Sequence, residues 1–289
     1  MLLKNLKEFL IEKIILACGI TSIVVVLLIF TFLAKEGLSL FQKISLFDFL
    51  LGRQWYPISD PAKFGILPLI LGSLYVTLGA TILSVPIGVA SAVYIAEVAS
   101  PRIKEILKSG IEILAAIPSV VLGFIGMTTL VPFVKNFFHL PTGLTAFSGS
   151  LILAFMAMPT IVSIAEDALT AVPKKYKEAA LALGATRWQA IWRVVLRAAS
   201  SGIVAAVMLG IGRVIGETMA VMMITGNAVK IPSSLFQPVR TLTATIAAEM
   251  GETVQGSDHY HALFAIGIVL FVITFIINFF ADLAIHRKL

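Results

Sequence analysis

A chain of 289 residues with 58% hydrophobic and only 13% charged residues cannot hide its apolar surface in one water-soluble core, because soluble domains carry about a quarter charged residues. Lipid has to cover the excess, so the fold class is an all-α integral membrane protein. The net charge of +6 is scattered at the ends of apolar runs without aromatic platforms, which argues against a nucleic-acid surface, and the lone Cys18 excludes a disulfide framework or a thiolate metal cluster.

Residues 14–33 form an uninterrupted apolar run behind Lys4, Lys7 and Lys13. At about 1.5 Å per residue the run crosses roughly 30 Å of hydrocarbon, and it is too long for a secretory signal. Residues 34–64, broken by Gly52, Pro57 and Pro61, are expected outside. A second span over 65–98 holds Pro86, and an inner turn over 100–109 carries Arg102, Lys104 and Lys108. The third span, 110–134, holds Pro118, Gly123 and Gly126, and the fourth, 147–172, holds Pro159. A polar island at 174–197 follows, then a fifth span at 198–225, an outer segment to 261, and a sixth span at 261–285. Fourteen of the 22 Lys and Arg fall in the inner pieces, including Arg287 and Lys288, and seven in the outer pieces. That bias predicts both termini in the cytoplasm.

The island reads KKYKEAALALGATRWQAIWRVVLR. Tyr176, Ala180 and Leu183 recur at helical spacing, as do Trp188, Ile191, Trp192 and Val195, which predicts two short helices joined at Gly184. Such a hairpin either lies on the lipid headgroups or is a docking knob for a soluble partner.

Arg213 and Glu217 stand inside the predicted fifth span, four residues apart and so on one helical face. An arginine there costs about 2.5–3.5 kcal/mol to insert. One reading is a buried ion pair that fixes helix packing, with Gly212-x-x-x-Gly216 allowing close approach. The other is a pair facing a water-filled path, where the guanidinium fork suits a small oxyanion and Glu217 holds Arg213 while the path is closed. Asp258-His259-Tyr260-His261 has too few separated ligands for a metal site and reads as a solvated loop, as does His139. Glu166 and Asp167 end the fourth span, either bonded to the inner loop or in water. No G-x-x-x-x-G-K-[ST] stretch exists, so ATP is not bound here through a P-loop, and no nucleophile–base pair stands out.

Glu178-Ala179-Ala180, three residues and then Gly184 resemble the cytoplasmic loop of permease subunits of binding-protein-dependent ABC importers. The resemblance implies an ABC permease fold with six spans, in which Glu178, Ala179, Ala180 and Gly184 belong to a coupling helix seated in a groove of the ATPase. The family pattern closes with a proline where this chain has Arg197, which implies a straighter exit from the loop. The stretch Gly212-Arg213-Val214-Ile215-Gly216-Glu217-Thr218-Met219-Ala220-Val221 is similar to the PstC-type permeases of phosphate importers. Ala157-Met158-Pro159, Ser163-x-x-Glu166-Asp167-Ala168-Leu169 and the run from Arg240 to Glu252 resemble the same family, as do Trp55-x-Pro57 and Gly65-Ile66-Leu67-Pro68. It implies inorganic phosphate as cargo, with Arg213 and Glu217 in the path or gate, and no cofactor. The implied partners are a sister PstA-type permease, a dimer of ATP-binding subunits and an extracytoplasmic phosphate-binding protein. Residues 1–64 would form an amino-terminal helix and outer loop, and 65–289 a five-helix core with its coupling loop at 174–197. Alternatives are a permease for sulfate or molybdate, an ion-coupled secondary transporter using Arg213 and Glu217 as a proton relay, or a structural subunit without a path.

Overall fold

The computed structural model describes residues 2–286, so the charges expected of Arg287 and Lys288 lie outside the described residues. Helix α1 (Leu2–Leu38) is continuous, and every residue from 9 to 32 is exposed. An apolar helix bare to its surroundings over that length is covered by lipid. A 3-10 turn and a short helix α2 (Leu46–Leu51) follow, then an antiparallel two-residue ladder pairing Trp55 with Phe64 and Tyr56 with Lys63. Helix α3 (Leu67–Val93) runs on through Pro86 and ends in a π-helical turn, Tyr94–Val98.

The third span departs from expectation. Residues 110–134 do not form one helix, because Pro118 pushes Ile117 out of the helical region to an extended ψ of 126°. What precedes the break is α4 (Pro101–Ala116), a helix with no buried residue rather than a turn. The span begins after it, with α5 (Ser119–Ile125), a π-turn at Gly126–Leu130 and α6 (Val131–Phe137).

Helix α7 (Ala146–Thr170) is the most buried span, capped by Thr145 and continuous through Pro159. The hairpin comprises α8 (Lys174–Ala182), α9 (Arg187–Ala190), a π-turn at Ile191–Val195 and α10 (Leu196–Ala198). The straighter exit expected from Arg197 is not found: the chain turns 70° at Ala199 before entering α11 (Ser200–Gly216). Beyond the bend, Gly202 lets α11 approach α7 so closely that a Cβ there would lie 2.4 Å from Ala168 Cβ. The expected fifth span also breaks at Glu217-Thr218, giving a separate α12 (Met219–Ile224). Helix α13 (Leu242–Glu249) lies in the outer segment, and α14 (Asp258–His286) ends the fold. The Asp258–His261 stretch is therefore the first turn of a helix, not a loop. Among the described residues five helices are long and apolar enough to cross a membrane, and the bent pair Arg187–Ala198 with Ser200–Gly216 makes a sixth if taken as one span.

Helices α3, α7 and α11 form the centre, and α1 packs on α14 through Phe30 and Phe271 at 5.1 Å between ring centroids. Ile161 of α7 is wedged between two glycines. A Cβ at Gly88 of α3 would lie 2.8 Å from Ile161 Cγ2, and one at Gly210 of α11 would lie 2.5 Å from Ile161 Cγ1. No other residue type lets three helices close on one side chain this tightly.

Candidate functional site

The hairpin is built by local rules. Gly184 adopts φ +84°, the left-handed conformation that glycine enters without a Cβ penalty. Its N–H bonds the Leu181 carbonyl and the next N–H, of Ala185, bonds the Ala180 carbonyl, which is the double bond that closes a helix on a glycine. The second helix restarts at once: Thr186 Oγ1 accepts from the Gln189 N–H while Gln189 Oε1 accepts from the Thr186 N–H. That reciprocal cap has its sequence signal in Thr186-x-x-Gln189, which the apolar spacing of the hairpin does not reveal. The apolar set then divides. Ile191 and Val195 are buried against the spans, whereas Tyr176, Leu183, Trp188 and Trp192 are exposed, Leu183 at 90%. Glu178, Ala179 and Gly184 are exposed and Ala180 half-buried, so the hairpin presents its helix ends and aromatic side chains outward.

Arg213 and Glu217 do not share a helical face. Glu217 follows the last residue of α11 with extended backbone, φ −69° and ψ 133°. Its Oε1 accepts from the N–H groups of Met219 and Ala220, 3.1 and 3.3 Å away, so the carboxylate satisfies the start of α12. Thr243 Oγ1 donates to the Glu217 carbonyl at 2.9 Å, tying this corner to α13. Arg213 sits in the last turn of α11, where unpaired carbonyls favour a cation by about 0.3–1 kcal/mol. Each charge is thus held by its own helix end. Among the described residues Arg213 forms no ion pair, and it is exposed, beside Leu209 and with open space around Gly212 and Gly216. This face of α11 therefore carries a cation that no carboxylate among the described residues neutralises.

Glu166 does not reach the hairpin. Its side chain is 1% exposed and receives Lys104 Nζ at 2.6 Å and Lys108 Nζ at 2.5 Å from α4, with Thr170 Oγ1 donating at 2.9 Å. Its hydrogen bond to Lys108 holds that ammonium above its ordinary lysine pKa. Asp167 is largely exposed, 3.7 Å from Lys108. Glu166 is the polar clamp between α7 and α4, beside the partly buried Leu107 and Ile111, since α4 contributes no fully buried residue. Glu166→Ala is expected to cost about 1–3 kcal/mol, read as a lower thermal midpoint in detergent. Asp167→Ala should stay within about 0.5 kcal/mol. Equal midpoints for the two would remove the clamp.

Away from the hairpin a cluster forms that the sequence did not suggest. The Glu249 carboxylate receives Trp55 Nε1 at 3.0 Å, an Arg240 guanidinium nitrogen at 2.5 Å and His259 Nε2 at 2.8 Å. It joins the early outer segment to α13 and α14 and borders a cavity of about 770 Å³. His261 instead meets the Glu36 carbonyl, and Asp258 meets Lys43, so the three neighbours expected to stand free in a loop each have a different partner.

An all-helical membrane chain with a glycine-closed inner hairpin and a span broken beside a cation has the architecture of an ABC importer permease. In fold it is similar to a solved chain of a bacterial alginate ABC transporter in complex with an alginate pentasaccharide-bound periplasmic protein, with a TM-score of 0.65 covering 94% of each chain at 18% identity. It is likewise similar to a chain of the inward-facing MetNI methionine ABC transporter, with a TM-score of 0.62 covering 80% of this chain and 100% of that one, also at 18% identity. The chain belongs to the family of binding-protein-dependent transport system inner membrane components, matched over residues 84–288. It is therefore a transport component of the inner membrane. It is 40% identical over 267 residues to the probable ABC transporter permease protein YqgH of Bacillus subtilis (strain 168), covering 92% of this chain and 86% of the relative. It is 36% identical over 276 residues to the phosphate transport system permease protein PstC of Mesorhizobium japonicum, covering 87% and 84%.

Proposed function

We infer that the chain is the permease subunit of an ATP-driven importer of inorganic phosphate and forms one half of the translocation path. The observation that carries the substrate is the likeness to phosphate transport permeases over more than four-fifths of the chain. Arg213, exposed on the open face of α11, is the residue that meets the anion, and Glu217 sets the corner beside it. The sister half is a PstA-type permease, ATP hydrolysis occurs in a separate pair of subunits seated on the 174–197 hairpin, and a phosphate-binding protein delivers from outside. Both termini lie in the cytoplasm, and residues 65–289 form the core that moves. Nucleotide binding changes the path only because the ATPase holds the hairpin more tightly in one state than in the other.

The test is uptake of labelled phosphate by the complete complex in proteoliposomes, with its binding protein outside and ATP inside. ATP-dependent uptake that survives a large excess of sulfate or molybdate is expected. Equal competition by those anions would make the cargo another oxyanion. Uptake driven by a proton gradient without ATP would make the chain a secondary transporter.

A further inference from the structure

A knob can move a membrane helix only if both of its own helices are fastened to that helix. Helix α8 contributes no buried residue, while the second arm buries Ala190, Ile191 and Val195, so apolar packing anchors one of the two helices and not the other. What reaches them is the inner end of α3. The Glu97 carboxylate, 12% exposed, pairs with Lys177 of α8. The Glu97 backbone carbonyl accepts from Arg187 of α9 at 2.5 Å. That carbonyl is available because the π-turn Tyr94–Val98 ends the helix and Ala99 is extended, leaving the last carbonyls without intrahelical donors. One residue thus grips each arm of the hairpin with a different group.

The surroundings fit a grip. Lys174, Lys177 and Glu178 of α8 line the same small cavity as Glu97, and behind it Ile95, Leu169 and Val195 are buried together. From Glu97 the chain of contacts runs up α3 to Gly88, across Ile161 to Gly210, and ends three residues short of Arg213. There is no slack along that seam, since even a Cβ at either glycine would collide with Ile161. Contiguity alone is not coupling, so the claim needs a measurement of coupling.

We propose that Glu97 is the positioning residue that makes the hairpin and α3 one moving body, so that work done on the hairpin reaches the Arg213 face. This rests on the hairpin being the ATPase contact. The experiment uses the complete complex in proteoliposomes and reads three quantities: ATPase subunits retained, ATP hydrolysed, and phosphate imported per ATP. Glu97→Gln is expected to retain the ATPase and hydrolyse ATP, but to import about ten-fold less phosphate per ATP, in the range of ordinary coupling energies. Glu97→Asp should recover part of the ratio. Glu97→Lys combined with Lys177→Glu should recover more than either single change, and a fall in phosphate per ATP with the ATPase fully retained is the readout that a merely structural role would not move. If the Glu97→Gln chain is not recovered folded in the membrane, Lys177→Gln carries the same expectation. A native ratio in Glu97→Gln, loss of the ATPase from it, or absence of rescue in the double variant would overturn the role of Glu97 while leaving the docking reading intact. A native complex isolated without any ATPase would overturn the docking reading itself.

Discussion

Arg213→Gln is expected to reduce phosphate uptake by about two orders of magnitude while the complex still assembles. A hydrogen bond to a charged group contributes about 1.5–3 kcal/mol, and each tenfold change corresponds to about 1.4 kcal/mol. Glutamine keeps much of the length and a donor, but loses the charge and the paired guanidinium donors that match a phosphate edge. Assembly is expected to survive because, among the described residues, the guanidinium forms no ion pair and no neighbour packs on Gly212 or Gly216. Lysine at the same position restores charge without the fork and should recover only part of the rate. Glu217→Gln tests the other half of the corner. An amide oxygen can still accept from Met219 and Ala220, so a small effect would identify Glu217 as a helix cap, and a large one would give its charge a role in the path. Uptake in Arg213→Gln equal to that of the native complex would remove Arg213 from the anion's route.

The difference between Arg213 as expected and as found shows where sequence reading stops. Hydropathy and charge located the long spans, because a run such as 14–33 has only one way to satisfy its backbone in lipid. The Gly184 turn was legible for an equally local reason, the Cβ penalty in the left-handed region. The i, i+4 argument for Arg213 and Glu217 failed because it assumed that an apolar run is one helix. The run breaks at Glu217-Thr218, where the carboxylate has orphan N–H groups to satisfy and Thr243 from a distant segment holds the corner. Pro118 was visible in the sequence, but whether a proline is absorbed, as at Pro86 and Pro159, or ends a helix, as at Pro118, depends on what packs against it. Glu97 and Glu249 were not singled out at all. Their partners are 80 and 90 residues away for the first, and 194 residues away for the Trp55 contact of the second, beyond the reach of any spacing rule.

Gly184→Asp is expected to leave the permease folded in the membrane yet abolish ATP-coupled uptake, because the change alters what the hairpin presents rather than how it is built. Two effects of the substitution have to be separated. The first is backbone strain: a residue with a Cβ at φ +84° pays about 1–2 kcal/mol, and aspartate is among the residues that visit this region most readily. No heavy atom lies within 4 Å of the position its Cβ would take, so no internal clash adds to that cost. The second is at the docking surface, where a carboxylate would be placed at the exposed tip between Leu183 and Ala185. In a desolvated groove an uncompensated charge costs more than the strain does. The expected result is a complex with a nearly native melting profile and little retained ATPase, or an ATPase that hydrolyses without import. Gly184→Asn, which shares the left-handed preference without the charge, should keep substantially more of the coupling. If the two variants lose uptake equally and also melt early, the glycine acts through the fold. If both import phosphate at the native rate, the hairpin tip is not where the ATPase sits.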